Sequence, residues 1–527
     1  MKFHATVLMA TASLFLYLHG RGAIASDGAP VWTNTFNNGN AKGDHNVTDI
    51  AVDTGGNVYV TGYALNSVSG YDIVTLKYST AGSRLWSNRF AGRGDANDQP
   101  YAIAVDASGS SYVVGETYVE GDGLDFVTVK YSSSGSPVWT NTYNGAAGNS
   151  DVATSTAIDS NGNAFVTGYS SDGVHYGVVT IKYSGAGLAL WTNQFETLNG
   201  IGEPSSVRLD ASGNVYVSSS SDPGLQSGFD YAIVKYSNTG VSLWTNRYRA
   251  SGYFNDRNKF LAVDPSGNVY VTGSSAGLGA GQDFATVKYS SDGTSLWTNR
   301  FNGTGNADER LPSIAVDSDG SVVITGYSIS AAGDYDYATI KYSAAGEPLW
   351  TNIFNGPGHG VDGANGLSLD PSGNVYVTGQ SASSRGDYGA VTIKYSPGGV
   401  ALWTNIFNAA GNGSDLGNVL AADGANSVYV AGFSTSATGN YNFFTIKYSG
   451  PPPPLKFATS NGSIGYTNGQ FSLTLTGPSN SNAVISASAD LQNWNPLTTN
   501  QLVGGTLRFT DTSATNFSQR FYRTQLQ

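Results

Sequence analysis

The sequence predicts an all-β protein: an eight-bladed β-propeller of four-stranded blades, its ring closed by an N-terminal strand, followed by a small C-terminal β-sandwich. Three observations carry this. The triplet KYS begins at Lys77, Lys130, Lys182, Lys235, Lys288, Lys341, Lys394 and Lys447, so a unit recurs at spacings of 53, 52, 53, 53, 53, 53 and 53 residues. A period that constant belongs to solenoids, arrays and propellers rather than to an ordinary mixed domain. Each unit divides into four runs of strand length, the strand count of a propeller blade. The 68 glycines of 527 residues are nearly double the usual share of about 7%, as short strands joined by many tight turns require.

The elements follow in order. The stretch MKFHATVLMATASLFLYLHGRGAIAS sets Lys2 and His4 ahead of an apolar run over 5–18 and ends on the small residues Ala23 and Ala25. That run falls short of the roughly 20 residues of a membrane span and reads as a secretory signal peptide, 1–25, cleaved before Ser26. No later segment approaches a span, so the mature chain is expected without a transmembrane segment, as a monomer that is secreted or held at the cell surface.

The propeller is expected over 31–449. It opens on an orphan fourth strand, VWTNTF at 31–36, and its last unit stops at Ser449 with no LWTN after it. The N-terminal strand is therefore expected to complete the last blade and remove an open edge. In the sixth unit, strands are expected at 313–317, 322–326, 337–342 and 349–354, rich in Val, Ile, Thr, Tyr and Trp and bounded by Gly, Asp, Asn or Ser. The first link is a tight DxxGN turn, as at Asp53, Asp264 and Asp370, and the third is the YSxxG hairpin. The second link and the blade-to-blade link vary in length and emerge on the same side. One face is thus standardised scaffold and the other is free to carry specificity. Beyond the ring, 450–454 (GPPPP) is a stiff spacer, and 455–527 keeps β patterning in FSLTLTG, AVISASADLQNW, GTLRFTD and RFYRTQ, a small sandwich without disulfides.

Units of the form IAVDxSGNVYVTGxS…DYxTIKYSxxGxxLWTNxFNG resemble the bacterial beta-propeller repeat family often called SBBP, over about four-fifths of the chain. The resemblance implies a propeller and no particular reaction. It is associated with seven blades, whereas eight units are counted here. The SADLQNW…FTD…RFYR pattern resembles C-terminal modules of exported bacterial repeat proteins, which implies attachment or sorting.

Composition excludes several functions. The formal charge of -12 and the pI near 4.8, with no Lys/Arg cluster, speak against nucleic acid. Cysteine is absent, which removes disulfides, thiolate ligands and a Cys nucleophile. The repeated lysine of KYS reads as structural, its stem packed in the blade and its ammonium paired with an Asp. Its partner is either the Asp five residues earlier (Asp72, Asp125, Asp230, Asp283, Asp336) or the Asp of IAVD. The repeated Trp of LWTN reads as inter-blade packing rather than a sugar platform.

An acid eight residues before the IAVD aspartate carries the sharper hypothesis: Asp98, Asp151, Asp256, Glu309, Asp362 and Asp415, with displaced equivalents at Asp44 and Glu203. On the variable face these would circle the mouth of the central channel and bind a ligand, Ca²⁺ included. The alternative is that each caps its own loop through backbone N–H groups. The irregular residues His45, His175, Arg257, Arg310 and His359 make no recognisable catalytic pair by spacing, and no cofactor is called for. The expectation is an exported, non-catalytic scaffold that binds a polysaccharide or a cell-surface protein through its variable face. The alternative is a polysaccharide hydrolase or lyase using carboxylates around the channel, where two acids could stand 5 to 10 Å apart, on the order glycosidases require.

Overall fold

The computed structural model describes residues 28–37, 45–66, 70–92, 96–121, 123–145, 148–195, 202–222, 228–250, 256–277, 281–409, 413–436 and 438–449, and C-terminally 456–457, 464–467, 470–476, 482–489, 492–503, 506–516 and 521–526. The expected signal peptide and the spacer lie outside these. Among the described residues, no helix is long and apolar enough to cross a membrane.

The unit Gly28–Ser449 is an eight-bladed propeller, each blade one four-stranded antiparallel sheet. Blade 1 runs from an inner strand His45–Val52 through Val58–Asn66 and Gly70–Tyr78 to an outer strand Arg84–Phe90. In blade 6 the strands are Arg310–Val316, Val322–Ile329, Tyr335–Tyr342 and Pro348–Phe354. The ladder there continues past the expected ends at 326 and 337, through Ser328 opposite Asp336 and Ile329 opposite Tyr335, so these strands outrun the expected ones on the variable side. The two middle strands of each blade are buried on both faces, since neighbouring blades cover them; this is why they read as continuous apolar runs. One core cluster joins Tyr59 and Ile73 of blade 1 to Ile103 and Val113 of blade 2.

The blades are held to one another by a repeated clasp. Tyr59, Lys77 and Trp86 stand directly opposite one another on adjacent strands and so project from one face of blade 1. There Lys77 Nζ and Trp86 Nε1 both donate to the Ser133 carbonyl in the hairpin of blade 2, at 3.0 and 3.2 Å, while Asn88 donates to the Gly135 carbonyl at 2.6 Å. The same trio recurs as Lys130, Trp139 and Asn141 on Gly185 and Gly187, and as Lys235, Trp244 and Asn246 on Ser291 and Gly293. The hairpin glycine is required twice over. Gly135 has φ +88°, and a Cβ there would lie 2.7 Å from the Trp86 ring.

Ring closure uses the same clasp with its hairpin cut. The strand Pro30–Phe36 pairs with Tyr441–Ser449 as the outer strand of blade 8, as the sequence predicts. Trp32 and Lys447, from opposite ends of the unit, then both reach the Thr80 carbonyl of blade 1. On the other side Gly28 replaces the hairpin glycine: its N–H donates to the Ser449 carbonyl at 3.2 Å, its φ is +86°, and it packs on Trp403 of blade 7. Gly28 precedes Trp32 by the same four residues that separate Gly82 from Trp86, so the repeat begins three residues before the expected boundary at 31.

The C-terminal unit is a sandwich. Gln470–Thr476 pairs with Lys456–Phe457, Ile464–Thr467 and Thr506–Asp511 in one sheet, and Asn482–Ser488 pairs with Asn495–Gln501 and Phe521–Leu526 in the other. Leu473, Leu475 and Phe509 of the first sheet meet Ala483 and Ile485 of the second.

Trp32→Ala, which opens the seam, is expected to destabilise the propeller by about 3 kcal/mol, the usual cost of removing a packed aromatic. Deleting 28–36 should lower the melting temperature further. An unchanged thermal transition on deletion refutes closure by this strand.

Candidate functional site

The six collar acids are placed by the blade-to-blade loops. Each stands at or just before the start of an inner strand, and each is buried, from 0% exposed at Asp151, Glu309 and Asp362 to 3% at Asp98. The carboxylate turns back into its own loop and accepts the backbone N–H six residues earlier. Asp98 takes Gly92 at 2.6 Å, Asp151 takes Gly145 at 2.8 Å, Asp256 takes Ala250 at 2.7 Å, Glu309 takes Gly303 at 3.0 Å, Asp362 takes Gly356 at 2.7 Å and Asp415 takes Ala409 at 2.8 Å. A second anchor comes from the adjacent strand: the hydroxyl of Thr117 for Asp98 and of Ser328 for Glu309, or the N–H of Ala276 for Asp256 and of Ala382 for Asp362.

These six acids therefore do not form an open collar; each clasps the loop that leads into its inner strand. Asp44 and the side chain of Glu203 lie outside the described residues. In the corresponding ladder position blade 1 carries His45, buried edge-on to Phe443. Among the described residues, no group of three or more His, Cys, Asp or Glu is placed to hold a metal ion.

The repeated lysine pairs with the IAVD aspartate: Lys77 with Asp53 at 3.9 Å, Lys235 with Asp210 at 3.8 Å and Lys341 with Asp317 at 2.9 Å. The Asp five residues earlier has other partners. Asp72 pairs with Arg89, Asp230 with Arg249 and Asp283 with Arg300, arginines that lie on or just beyond the outer strand. The irregular residues do not converge. His175 bonds Asp172, His359 bonds Asn355, Arg257 lies over Phe229, and Arg310 lies over Tyr335 while pairing with Asp308.

What the variable side does bring together is a rim of phenols and carboxamides at the inner strands. Tyr327 of blade 6 donates to Asn365 of blade 7 at 2.8 Å, and Asn365 donates to the Gly417 carbonyl of blade 8 at 3.0 Å. Asn418 of blade 8 donates to Asn46 Oδ1 and the Val47 carbonyl of blade 1, and Asn46 in turn donates to Tyr63. In blade 2, Tyr101, 39% exposed, donates to Glu116 at 3.2 Å. Edge-to-face rings continue the rim outward: Tyr63 with Tyr71, Tyr169 with Tyr176, Tyr327 with Tyr335 and Phe433 with Tyr441. Burial pushes Glu116 upward, and Asp98 adds to the shift. Blades 4 and 5 interrupt the series with Ser220 and Ser274 at the Tyr63 position.

Sequence reasoning missed this rim because it weighted the invariant aromatics. The available signal is the variable residue after VTG: Tyr63, Tyr169 and Tyr327 against Glu116, Gln380 and Phe433. A second omission is the pair Asp49 and Arg208 on the inner strands. Arg208, exposed, stands where other blades carry Ala51, Ala104, Ala157, Ala262, Ala315, Ser368 and Ala421. Asp49 accepts the Ile103 N–H of blade 2 at 2.8 Å, and burial pushes it up to about 6 although two backbone N–H groups and Arg208 act against this.

No protein-family model matches the chain, and no curated protein matches it. Solved structures similar to the chain include Sqt1 from Chaetomium thermophilum, at 10% identity and TM-score 0.47, covering 81% of this chain and 100% of that one. Drosophila Plexin A in complex with Semaphorin 1b has 9% identity and TM-score 0.37, over 80% and 87% of the two chains. The polysaccharide lyase Uly1 has 10% identity and TM-score 0.41, over 76% and 89%. Likenesses at this level carry no argument about function.

The clasping acids make stability depend on pH. Burial pushes Glu309 up to about 7, against the Gly303 N–H and the Ser328 hydroxyl that favour its charge. Below about 4.5 both folded and unfolded forms hold the proton. Between that value and about 7 only the folded form does, so its contribution to stability is lost as pH rises through the window. Glu309→Gln should remove this loss, which amounts to roughly 3 kcal/mol by the standard conversion of a pKa difference. Denaturant melts at pH 4.5 and 8 measure it; an equal pH slope in the variant refutes the assignment.

Proposed function

We propose that the propeller is an exported, non-catalytic scaffold that binds a polysaccharide across the inner rim of its variable face, with the C-terminal sandwich attaching it to a surface. The observation that carries this reading is the rim itself. A phenol of blade 6, carboxamides of blades 7, 8 and 1, and phenols of blades 1 and 2 follow one another there. Carboxamides offer donor and acceptor side by side, which suits vicinal sugar hydroxyls, while the tyrosine rings offer flat apolar faces to the C–H faces of a pyranose. An arc of such groups over adjacent blades 6, 7, 8 and 1 favours an extended ligand.

The contact of Tyr101 with Glu116 in blade 2 favours a second reading, a polysaccharide hydrolase or lyase. A buried acid of raised pKa, bonded to a half-exposed phenol, has the means to move a proton. Its test is product formation on any polysaccharide that binds.

A polysaccharide array probed with the mature protein is expected to give binding without turnover. Binding should survive EDTA, since the loop acids are already occupied by backbone N–H groups. Asn365→Ala and Tyr327→Ala should each weaken binding about tenfold, the usual weight of a hydrogen-bonding group left without its partner. Binding undiminished in both variants overturns the rim assignment, and product release from a bound polysaccharide establishes the second reading.

A further inference from the structure

On the opposite, tight-turn side, one blade lacks a group that the repeat otherwise supplies. Six blades carry a tyrosine on the second strand directly opposite the repeated lysine: Tyr59, Tyr112, Tyr216, Tyr270, Tyr376 and Tyr429. Each ring lies beneath the repeated lysine, with Nζ to centroid distances from 4.6 Å at Lys77 to 5.1 Å at Lys447. In five of them the hydroxyl also sits between two acceptors, the IAVD aspartate of its own blade and a turn carbonyl of the next. Tyr59 stands 3.1 Å from Asp53 Oδ2 and 2.7 Å from the Gly109 carbonyl, and Tyr270 stands 3.2 Å from Asp264 and 2.8 Å from Gly320. Blade 3 keeps the ring without the hydroxyl, as Phe165 beneath Lys182 at 4.9 Å.

Blade 6 has Val323 at this position, and the ring is gone. Its surroundings remain: the lysine is Lys341, the aspartate is Asp317, and the turn glycine of the next blade is Gly373. Lys341 draws onto Asp317 at 2.9 Å, where blades 1 and 4 hold 3.9 and 3.8 Å. A cavity of about 460 Å³ opens beside them, lined by Asp317, Lys341, Asp319, Asp370 and Gly373 and reaching Asp423 of blade 8; Val323 itself is fully buried and does not line it. About 150 Å³ is enough to hold a benzene ring. Asp319 belongs to this blade alone, since the other seven place Gly55, Ser108, Asn161, Ser212, Ser266, Ser372 and Ala425 there. Its N–H donates to Asp317 Oδ1 at 3.3 Å; the adjoining Asp317 and the Ser321 N–H hold Asp319 down at about 2, while burial raises Asp317.

We propose that this cavity binds a phenolic ring supplied by a small ligand, with the hydroxyl taken by Asp317 and the Gly373 carbonyl and the ring face against Lys341. The protein's own tyrosines show the complementarity: the same acceptor pair and cation enclose a phenol in blades 1, 2, 4, 5 and 8. The cation adds attraction to the ring face, and the acceptors add selectivity for a hydroxylated ring over a plain one. This site is separate from the rim and stands whether or not the rim binds a polysaccharide.

The test uses p-cresol and toluene as probes on the mature protein, followed by isothermal calorimetry and ligand-observed NMR. The expected result is saturable binding of one p-cresol, about tenfold tighter than toluene. Val323→Tyr restores the internal ring and should abolish that binding while raising the melting temperature. Val323→Phe, which copies the arrangement of blade 3, should abolish it too and keeps the test decisive if the tyrosine variant does not fold. Lys341→Met should weaken binding several-fold with the cavity kept open. Absence of saturable p-cresol binding to the unmodified protein, equal affinity for toluene, or binding that persists in the ring-filling variants overturns the proposal.

Discussion

The propeller depends on one contact made between neighbouring blades: a tryptophan laid on a hairpin glycine, with the tryptophan N–H and a lysine ammonium sharing a single carbonyl. The contact fixes distance and angle together. The glycine lets the ring approach to within van der Waals range, and the shared carbonyl sets how far along the blade it lands. A blade is otherwise a four-stranded sheet with both middle strands apolar on both faces, which has no stable existence alone. Repetition of the clasp turns those sheets into a ring.

The lysine in that clasp would be costly if buried alone. It is compensated on three sides, by the carbonyl of the next blade, the aspartate of its own turn and the tyrosine ring beneath it. The aspartate is shared in turn: Asp53 also caps the tight turn through the N–H groups of Gly55 and Asn57 and accepts from Tyr59. One carboxylate therefore couples the geometry of the turn to the inter-blade contact. At the seam the same logic holds with the hairpin severed, because Ser449 and Gly28 reproduce the bond a continuous hairpin would make.

Such economy leaves the two faces different in character. On the tight-turn side the repeat supplies the clasp and the ring beneath its lysine, and Val323 is the one departure that removes that ring. On the variable side the acids hold the loops in place, and the rim tyrosines and asparagines bond one another and neighbouring backbone from blade to blade. Departures from the repeat, rather than its most constant residues, mark where chemistry is free to differ from blade to blade.

By itself the sequence determined the architecture. The constant spacing of KYS set eight blades, and the orphan VWTNTF strand set how they close, since strand pairing within a blade is encoded locally by alternation and turn residues. It also showed that the constant Lys and Trp are structural, because a single active site has no use for eight copies. Only the tertiary structure decided where side chains end. The acids at Asp98 to Asp415 read either as channel ligands or as loop caps until Gly92, Gly145 and their equivalents were seen to lie against them. The lysine's partner could be either of two aspartates until Arg89 and Arg300 were found on one of them. Likewise Val323 is an ordinary strand residue until Tyr59, Lys77 and the Gly109 carbonyl are seen to meet. The physical reason is common to all three: a blade's pattern is local, but each side chain's environment is completed by a neighbouring blade or returning loop, and periodicity alone does not specify those contacts.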